Sequence, residues 1–180
     1  LGSLREDVPP ISFEQVKALI EEELNAKIED LFETFDEKPV AAASIGQVHA
    51  ATLKKTGEKV AVKVQRPDIT DKIKADIEIL KNLAVVLKRT FKSIDRFEPE
   101  GVIDEFGHQI LRELDYTIEA RNIQRFSKNM EGLEGMVIPK VFWKFSSRKI
   151  LTMEFIEGYS IEKVDKLNKW KIDFKVITDI

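Results

Sequence analysis

The chain has 180 residues, of which 43% are hydrophobic and 34% are charged, so it can bury one core but is too short for two typical domains. Its 29 basic and 32 acidic residues give a net charge of -3, which offers no basic field for nucleic acid, and no nucleic-acid partner is expected. It has no cysteine and only two histidines, His49 and His108, which excludes disulfides and thiolate metal sites and argues against an imidazole cluster. No apolar run is long enough to span a bilayer and the N-terminus lacks a signal-peptide pattern, so the chain as given is expected to be cytoplasmic.

The N-terminal part of the chain predicts one helix followed by β-strands. Ser12 and Gln15 have the spacing of a capping box, so an amphipathic helix is expected to begin after Ser12 and to extend to about Leu24. Between residues 31 and 64 the sequence shows short β-like runs, which predict three strands. Residues 55–58 separate two of them and contain a glycine, which accepts the positive φ that a hairpin turn requires.

Two long helices and further strands are predicted from the rest of the chain. The second helix is expected over about Val102–Met130, where apolar residues recur at steps of four. Strands are predicted within residues 137–159, around Val141–Trp143 and Ile150–Met153, and a short helix is predicted near Ile161. The first of these two long helices precedes it in the chain and is indicated by apolar residues at three- and four-residue steps. These residues form a face that is expected to pack on the core: Ile73, Ile77, Leu80, Ala84, Leu87 and Phe91.

One predicted strand carries a lysine between apolar residues. In Val60–Gln65 the three valines face one side of the sheet, whereas Ala61 and Lys63 face the other, because successive side chains alternate. A buried ammonium group is costly unless an anion meets it. A nucleotide fits both residues, since its flat base can lie on Ala61 while a phosphate reaches Lys63. The alternative is that the lysine extends its ammonium group into solvent.

Small residues form a turn one strand before the strand that carries Lys63. Ala41–Ser44 leads into Gly46, and in such a turn backbone N–H groups can approach phosphate oxygens closely. The alternative is that the alanines only allow tight packing. Together, the turn and the lysine strand favour a nucleotide-binding site.

In this order the segments resemble the small lobe of a protein kinase. A kinase glycine-rich loop reads G-x-G-x-x-G-x-V and precedes a strand with the sequence V-A-I-K. The corresponding positions here are Ala41, Ala43, Gly46 and Val48, followed by Val60–Lys63. Alanine replaces two of the glycines, and such a loop continuing Ser-Ile-Gly-Gln-Val is typical of the UbiB family of atypical kinase-like proteins. Three more stretches are similar to that family: Asp7–Pro10, Lys63–Pro67, and Glu113–Asp115, which matches its Glu-x-Asp motif.

The resemblance covers essentially the whole chain and implies an α+β fold of the kinase small-lobe type. It implies a five-stranded antiparallel sheet with a long helix of the third-helix type, a family-specific N-terminal helix and an inserted helix. Residues 1–30 are expected to form the N-terminal helical extension. Residues 31–158 are expected to form the N-lobe, with its helical insert at about residues 68–95, and residues 159–180 the start of a truncated C-lobe.

The resemblance also assigns roles to the site residues. Lys63 is expected to bind phosphates and to pair with a helix glutamate. Glu119 is the first choice for that glutamate and Glu113 is the main rival. Glu113 and Asp115 are also expected, as the family motif, to contact a segment outside the ordinary kinase core, and a solvated helix face is the alternative for any one of these carboxylates. The nucleotide is expected to contact the following residues: Ala41, Ala42, Ala43, Ser44, Ile45, Gly46, Gln47, Val48, Ala61 and Lys63.

A hinge that reads the adenine base is implied at residues 153–158. Met153 corresponds to the gatekeeper position of kinases. The carbonyl of Glu154 is expected to accept a hydrogen bond from the adenine amino group, and the N–H of Ile156 is expected to donate one to the ring. Backbone groups therefore recognise the base in this interpretation.

Two functions follow for the parent protein. The first is an atypical kinase or ATPase that binds ATP or ADP and that the family links to the biosynthesis of ubiquinone, an isoprenoid quinone. The second is a nucleotide-gated, lipid-associated regulatory scaffold without phosphotransferase activity. Lipid or quinone precursors and a membrane are expected partners of the full-length protein, which is expected to associate with the membrane on its cytoplasmic side. An unrelated α+β domain, in which the alanines and the lysine only pack, is the remaining alternative.

The motifs that the chain lacks limit its expected activity. It contains no His-x-Asp or Asp-Phe-Gly-like segment, and no Lys-x-Gly-Gln motif. The chain is therefore interpreted as an N-lobe fragment that does not turn over ATP by itself. No metal ligands are assigned in it, and magnesium is expected only with the missing C-lobe.

Overall fold

The computed structural model describes residues 9–91, 98–133 and 135–158. The segments predicted to begin the C-lobe and to form a short helix near Ile161 lie outside these residues. The helices and strands follow one another in this order: α1 Phe13–Leu24, α2 Ile28–Leu31, β1 Phe32–Phe35, β2 Ala41–Ala42, β3 Gly46–Leu53, β4 Lys59–Gln65, α3 Ile69–Thr90, α4 Pro99–Glu113, α5 Tyr116–Asn129, a short 3₁₀ helix Trp143–Phe145, and β5 Ile150–Glu154.

A five-stranded antiparallel sheet forms the centre of the fold, which confirms the predicted α+β class. The strand order is β1-β3-β4-β5, and β2 pairs with the N-terminal end of β3. The sequence predicted three strands in residues 31–64, and the structure has four because Ala41–Ala42 folds back on β3. The predicted hairpin turn between β3 and β4 is present, with Gly57 at a φ of 70°.

The main hydrophobic core lies between the sheet and α1. Helix α1 begins where the capping box predicted, since the Ser12 side chain accepts from the Gln15 N–H and the Gln15 side chain accepts from the Ser12 N–H. The buried members of the core are Val16, Leu19, Ile20, Ile28, Phe32, Ala51, Leu53, Val60, Val62, Val64 and Ile150. The three valines of β4 therefore lie on the α1 side of the sheet, as their alternation predicted, which leaves Lys63 on the opposite face.

A second, smaller core on that opposite face holds α5 against the sheet. Tyr116, Ala120 and Leu151 are buried there, and Ile45 and Met153 pack around them. Helix α5 thus packs on β5, which is paired with the strand that carries Lys63.

The prediction of a single helix over Val102–Met130 is wrong, because the helix is interrupted at Leu114 and Asp115. The Asp115 side chain accepts from the Thr117 N–H at 3.0 Å and so caps a new helix. The Leu114 carbonyl, at the end of α4, accepts from the Gln65 side chain at 2.8 Å. Apolar spacing continues across the break, so periodicity alone does not reveal it.

The strand predicted around Val141–Trp143 is also wrong. Val141 makes only an isolated bridge to Met153, and the next residues form the 3₁₀ helix. The Ser146 hydroxyl donates to the Phe142 carbonyl and accepts from the Thr152 N–H, which holds this turn against β5.

Helix α3 packs on α4 and contributes little to the core, contrary to the prediction for its apolar face. Ala84 is its one buried residue among those described, while Leu80 and Phe91 of the predicted face are 39% and 52% exposed. The two helices approach closely at Gly107, where an added Cβ would lie 3.1 Å from the Ile77 side chain. Helix α3 therefore forms, with α4, a helical hairpin outside the sheet. No helix within the described ranges has the length and apolar content to cross a membrane.

Candidate functional site

Lys63 and Glu119 form an ion pair between the sheet and α5. Lys63 Nζ lies 2.6 Å from Glu119 Oε2, and the two side chains are 23% and 40% exposed. Glu119 lies in the first turn of α5. The ammonium group also lies 4.6 Å above the centre of the Tyr116 ring, a cation–π distance. The lysine that the sequence singled out is therefore held by one carboxylate and one aromatic ring.

Tyr116 is completely buried beneath this ion pair. Among the described residues its hydroxyl has no hydrogen-bond partner. Burial, together with the nearby charge of Glu119, raises the pKa of this phenol far above its ordinary value, so it stays neutral. A Cβ on Gly46 would lie 2.5 Å from the Tyr116 hydroxyl and 2.6 Å from the Val64 carbonyl oxygen. Gly46 is thus required for close packing, a reason that the sequence did not reveal.

A cavity of about 560 Å³ opens beside Lys63. It brings together all four residues proposed from the sequence as catalytic, with only Ile45 from the proposed nucleotide loop. Asn122 lies three residues after Glu119, and Gln109 lies four before Glu113, so helical spacing could have found both. The lining residues are Ile45, Lys63, Gln109, Arg112, Glu113, Asp115, Ile118, Glu119, Asn122 and Ile123.

The two carboxylates of the Glu-x-Asp motif have different surroundings. Asp115 accepts from the Thr117 hydroxyl at 2.6 Å and from Arg148 Nε at 3.0 Å, in addition to its capping bond. Partial burial opposes ionisation of Asp115, but the Thr117 hydrogen bonds and the Arg148 charge outweigh it and lower the pKa of this carboxyl. Glu113 is exposed at the end of α4, and its carboxylate has no hydrogen-bond or ion-pair partner within the described part of the chain. In the structure the partner of Lys63 is therefore Glu119 rather than Glu113.

The alanine-rich segment forms a tight hairpin at the rim of the cavity. Val40 N–H donates to the Val48 carbonyl and Ala43 N–H donates to the Gly46 carbonyl, both at 2.8 Å. Ala41, Ala43 and Ser44 are exposed, and Ala42, Ile45 and Val48 are half-buried. The hairpin therefore leaves its tip open to a ligand, and its role in binding one stays a prediction.

Gln47 and His49 form a buried network on β3. Gln47 Oε1 accepts from the Ile11 N–H at 2.9 Å, and Gln47 Nε2 lies 3.4 Å from the Ile11 carbonyl and 2.8 Å from His49 Nε2. His49 Nδ1 lies 2.7 Å from the Asp36 carbonyl, so Nδ1 must donate and Nε2 must accept. Because its side chain is used in this way, the prediction that Gln47 contacts a nucleotide now concerns its backbone alone.

This network makes the stability of the fold dependent on pH. Burial lowers the pKa of His49 below its ordinary value of 6.5, although the bond to the Asp36 carbonyl opposes the shift. The unfolded chain therefore binds a proton more readily, so the stabilisation is complete above pH 6.5 and is lost as the pH falls through the lowered pKa. We expect the free energy of unfolding, measured by urea denaturation, to decrease between pH 7 and about 5 by this mechanism.

A His49→Asn variant tests this expectation, because its amide nitrogen can still donate to the Asp36 carbonyl but does not titrate. Its stability should vary less with pH than that of the parent. The other histidine, His108, is exposed, and a His108→Asn variant should retain the pH dependence of the parent. Equal pH dependence in the parent and in His49→Asn would contradict the expectation.

The proposed hinge residues lie at the end of β5, beside β4. Met153 is opposite Ala61 in the strand register and is partly buried in the smaller core. Glu154 N–H donates to the Lys140 carbonyl at 2.8 Å, and Ile156, beyond the strand, is 44% exposed. None of these residues lines the cavity beside Lys63. Their contact with a base stays a prediction.

Metal-binding side chains do not cluster in the described ranges, where no group of three or more histidine, cysteine, aspartate or glutamate residues is arranged to hold an ion. The ion pair of Lys63 and Glu119 offers a positioned ammonium group with a carboxylate partner. Such a pair suits binding of an anionic group such as a phosphate.

Comparison with known proteins finds relatives that are named as kinases or kinase-like proteins. The profile of the ABC1 atypical kinase-like domain matches residues 3–180. The chain is 36% identical over 177 residues to the chloroplastic protein ACTIVITY OF BC1 COMPLEX KINASE 8 of Arabidopsis thaliana, covering 97% of this chain and 23% of that protein. It is 38% identical over 179 residues to the probable protein kinase UbiB of Pseudomonas paraeruginosa, covering 99% and 33%. The chain thus spans between 23% and 33% of the length of these two curated relatives.

A solved structure has the same fold. It is that of Rv3197 from Mycobacterium tuberculosis in complex with erythromycin, with a TM-score of 0.72 and 32% sequence identity. The likeness covers 88% of this chain and 39% of that one. The fold described above therefore occurs as part of a larger protein.

Proposed function

The chain belongs to the ABC1 atypical kinase-like family, which includes the UbiB proteins, and on that premise we propose that it binds the phosphates of ATP or ADP at Lys63. The observation that supports this most is the 2.6 Å ion pair between Lys63 and Glu119. It joins the central strand to the helix above it, which is the arrangement of the strand lysine and helix glutamate in protein kinases.

The ion pair suits phosphate binding for a physical reason. An ammonium group has three donors, so Lys63 can keep one bond to Glu119 and direct others to phosphate oxygens. Glu119 holds the long side chain over the cavity, which reduces the conformational entropy lost when a ligand binds. The Tyr116 ring supports the ammonium from the protein side at 4.6 Å. Lys63 is therefore preorganised to bind an anion.

We extend the proposal to the intact protein as an atypical kinase or ATPase. Magnesium bridges the phosphates in such reactions and is held by carboxylate and amide ligands of the second kinase lobe, which the relatives have length to contain. Because of its family, we also propose that the intact protein acts in isoprenoid quinone biosynthesis at a membrane, with lipid or quinone precursors as partners. A nucleotide-gated scaffold is the rival, and only turnover separates the two.

The test is a calorimetric titration of ATP and ADP, with and without magnesium, into the intact protein, followed by a phosphate-release assay. We expect saturable binding of at least one nucleotide and magnesium-dependent turnover. Binding without turnover, also in the presence of lipid and quinone precursors, would favour the scaffold. A folded protein that binds neither nucleotide would overturn the proposal.

The alanines of the hairpin are expected to set nucleotide preference. In the described residues, non-glycine positions with positive φ are confined to Asn25, Asp68 and Glu98, so Ala41 and Ala43 have ordinary backbone conformations. Glycine at either position would add the left-handed conformations that alanine resists by about 1 kcal/mol or more. We expect Ala43→Gly to change the ratio of ATP to ADP affinity by about fivefold, since 1 kcal/mol corresponds to that factor.

The matched control is Ala75→Gly, which makes the same change on the exposed surface of α3. Both variants are titrated with ATP and ADP beside the parent. An unchanged ratio of affinities in Ala43→Gly would show that hairpin conformation does not set the preference.

A further inference from the structure

Arg66 joins the alanine-rich hairpin to the segment that precedes α1. Its Nε donates to the Ala43 carbonyl at 3.0 Å, and its Nη2 donates to the Pro9 carbonyl at 2.8 Å. Its backbone N–H donates to the Ile45 carbonyl at 3.0 Å. One residue, immediately after β4, thus fixes two carbonyls of the hairpin tip.

Holding those carbonyls also orients the N–H groups that follow them. A trans peptide unit is planar, and its C=O and N–H point in opposite directions. With the Ala43 and Ile45 carbonyls directed at Arg66, the N–H groups of Ser44 and Gly46 must point away from it. Ser44 is exposed at the tip whereas Gly46 is buried, so the Ser44 N–H is the backbone donor that the hairpin can offer to a ligand phosphate.

We propose that Arg66 is a positioning residue that sets the hairpin of residues 41–46 for binding of the nucleotide phosphates. The inference rests on the function proposed above and assigns a role to the stretch Lys63–Pro67. The Arg66 side chain does not itself need to touch the nucleotide, because it acts through the Ala43 carbonyl. The Ile45 carbonyl is held by the Arg66 backbone N–H, which alanine or lysine at this position would keep.

The neighbouring residue holds the other wall of the cavity. Gln65 Nε2 donates to the Leu114 carbonyl at 2.8 Å, at the junction that carries Asp115 and precedes Glu119 by one helical turn. Gln65 is buried, with 2% exposure, so this bond is shielded from water. Gln65 and Arg66, which are consecutive, therefore fix the junction of α4 and α5 on one side of the cavity and the hairpin on the other.

The geometry requires arginine in particular. A guanidinium group is planar and presents its donors in a rigid fork, so it can reach Ala43 and Pro9 at the same time. A lysine has one nitrogen on a flexible stem and cannot hold both carbonyls with the same geometry. Arg66→Lys should therefore behave like Arg66→Ala rather than like the parent.

The first test compares ATP, ADP and adenosine binding to the intact protein by calorimetry, in Arg66→Ala, Arg66→Lys and the control Arg89→Ala. Arg89 is an exposed arginine near the end of α3. We expect both Arg66 variants to bind ATP and ADP about tenfold more weakly, the effect of losing a hydrogen bond from a charged group. Adenosine, which has no phosphates, should bind with unchanged affinity. A general loss of folding would weaken all three ligands equally.

The second test needs no nucleotide. Amide hydrogen exchange of Val40 and Ala43, the donors of the two hairpin bonds, should be about tenfold faster in the Arg66 variants, while amides of α1 exchange as in the parent. Unchanged exchange at Val40 and Ala43, or equal loss of ATP and adenosine binding, would overturn the role of Arg66. If the parent bound no nucleotide, the proposed function would fail, and exchange alone would decide whether Arg66 fixes the hairpin.

Discussion

Replacing Gly46 with alanine is expected to lower the free energy of unfolding by about 3 kcal/mol, at the upper end of the range for overpacked positions. The added Cβ would lie 2.5 Å from the Tyr116 hydroxyl oxygen and 2.6 Å from the Val64 carbonyl oxygen. The second contact is with the backbone of the central strand, which cannot move without disturbing its pairing with β3 and β5. Urea denaturation of the parent and the variant measures the difference.

Two further variants show whether the contact is the cause. In a Tyr116→Phe background the hydroxyl is absent, so Gly46→Ala should cost less, although the Val64 carbonyl still opposes the Cβ. Gly101 in α4 has no atom within 4 Å of an added Cβ, so Gly101→Ala should not destabilise the protein. Similar stability of the parent and of Gly46→Ala would show that the hairpin is not packed against Tyr116 as described.

Removal of the Lys63 ammonium is expected to weaken ATP binding by about 30-fold, equivalent to the loss of a hydrogen bond between charged groups. Calorimetric titration of the intact Lys63→Ala protein measures the change. Lys59→Ala is the matched control, since Lys59 is on the same strand and also forms an ion pair, 3.2 Å from Glu157, but is 70% exposed. The control should bind ATP about as the parent does.

A Glu119→Gln variant removes the negative charge of the carboxylate partner but keeps the ammonium group of Lys63. It should weaken ATP binding by less than Lys63→Ala, because the amide oxygen can still accept from Lys63. The two changes should be less than additive when combined, since Glu119 acts through Lys63. Additive effects would indicate that the two residues act independently on the ligand, contrary to the ion pair in the structure.

The parts of the fold that were predicted correctly are those that local sequence patterns determine. Alternation in β4 placed three valines on the core side and Lys63 on the other, and a capping box located the start of α1. Such signals succeed because the pattern is determined by residues close in sequence. Glu119 was likewise preferred over Glu113 as the partner of Lys63, which the ion pair in the structure matches.

The errors arose where tertiary contacts overrode local patterns. Apolar spacing continued through Leu114, but a hydrogen bond from Gln65, 49 residues earlier, and the cap at Asp115 end one helix and begin another. The apolar face of α3 predicted core packing, yet that helix found its partner in α4. Leu80 and Phe91 of the predicted face are 39% and 52% exposed. Periodicity shows that a helix has an apolar face but does not show what covers it.

The residues that position Lys63 and the hairpin could not be predicted from the sequence, again because they act through tertiary contacts. Tyr116 lies under Lys63, and Arg66 holds Ala43, through contacts between residues far apart in the chain. A tyrosine after an aspartate and an arginine before a proline have no local pattern that indicates these roles. Lys63 could be singled out from its place in an apolar strand, but the residues that contact and position it required the structure.

The most direct test of phosphate binding at Lys63 is the rate at which its amine reacts with an acylating reagent, measured by mass spectrometry with and without saturating ATP. We expect ATP to slow the labelling of Lys63 by about tenfold, because a bound phosphate holds its ammonium group and blocks access. Lys59 and Lys140, which are 70% and 65% exposed, should react at unchanged rates in the same sample. An unchanged rate at Lys63 under conditions where ATP is bound would place the phosphates elsewhere and contradict the account.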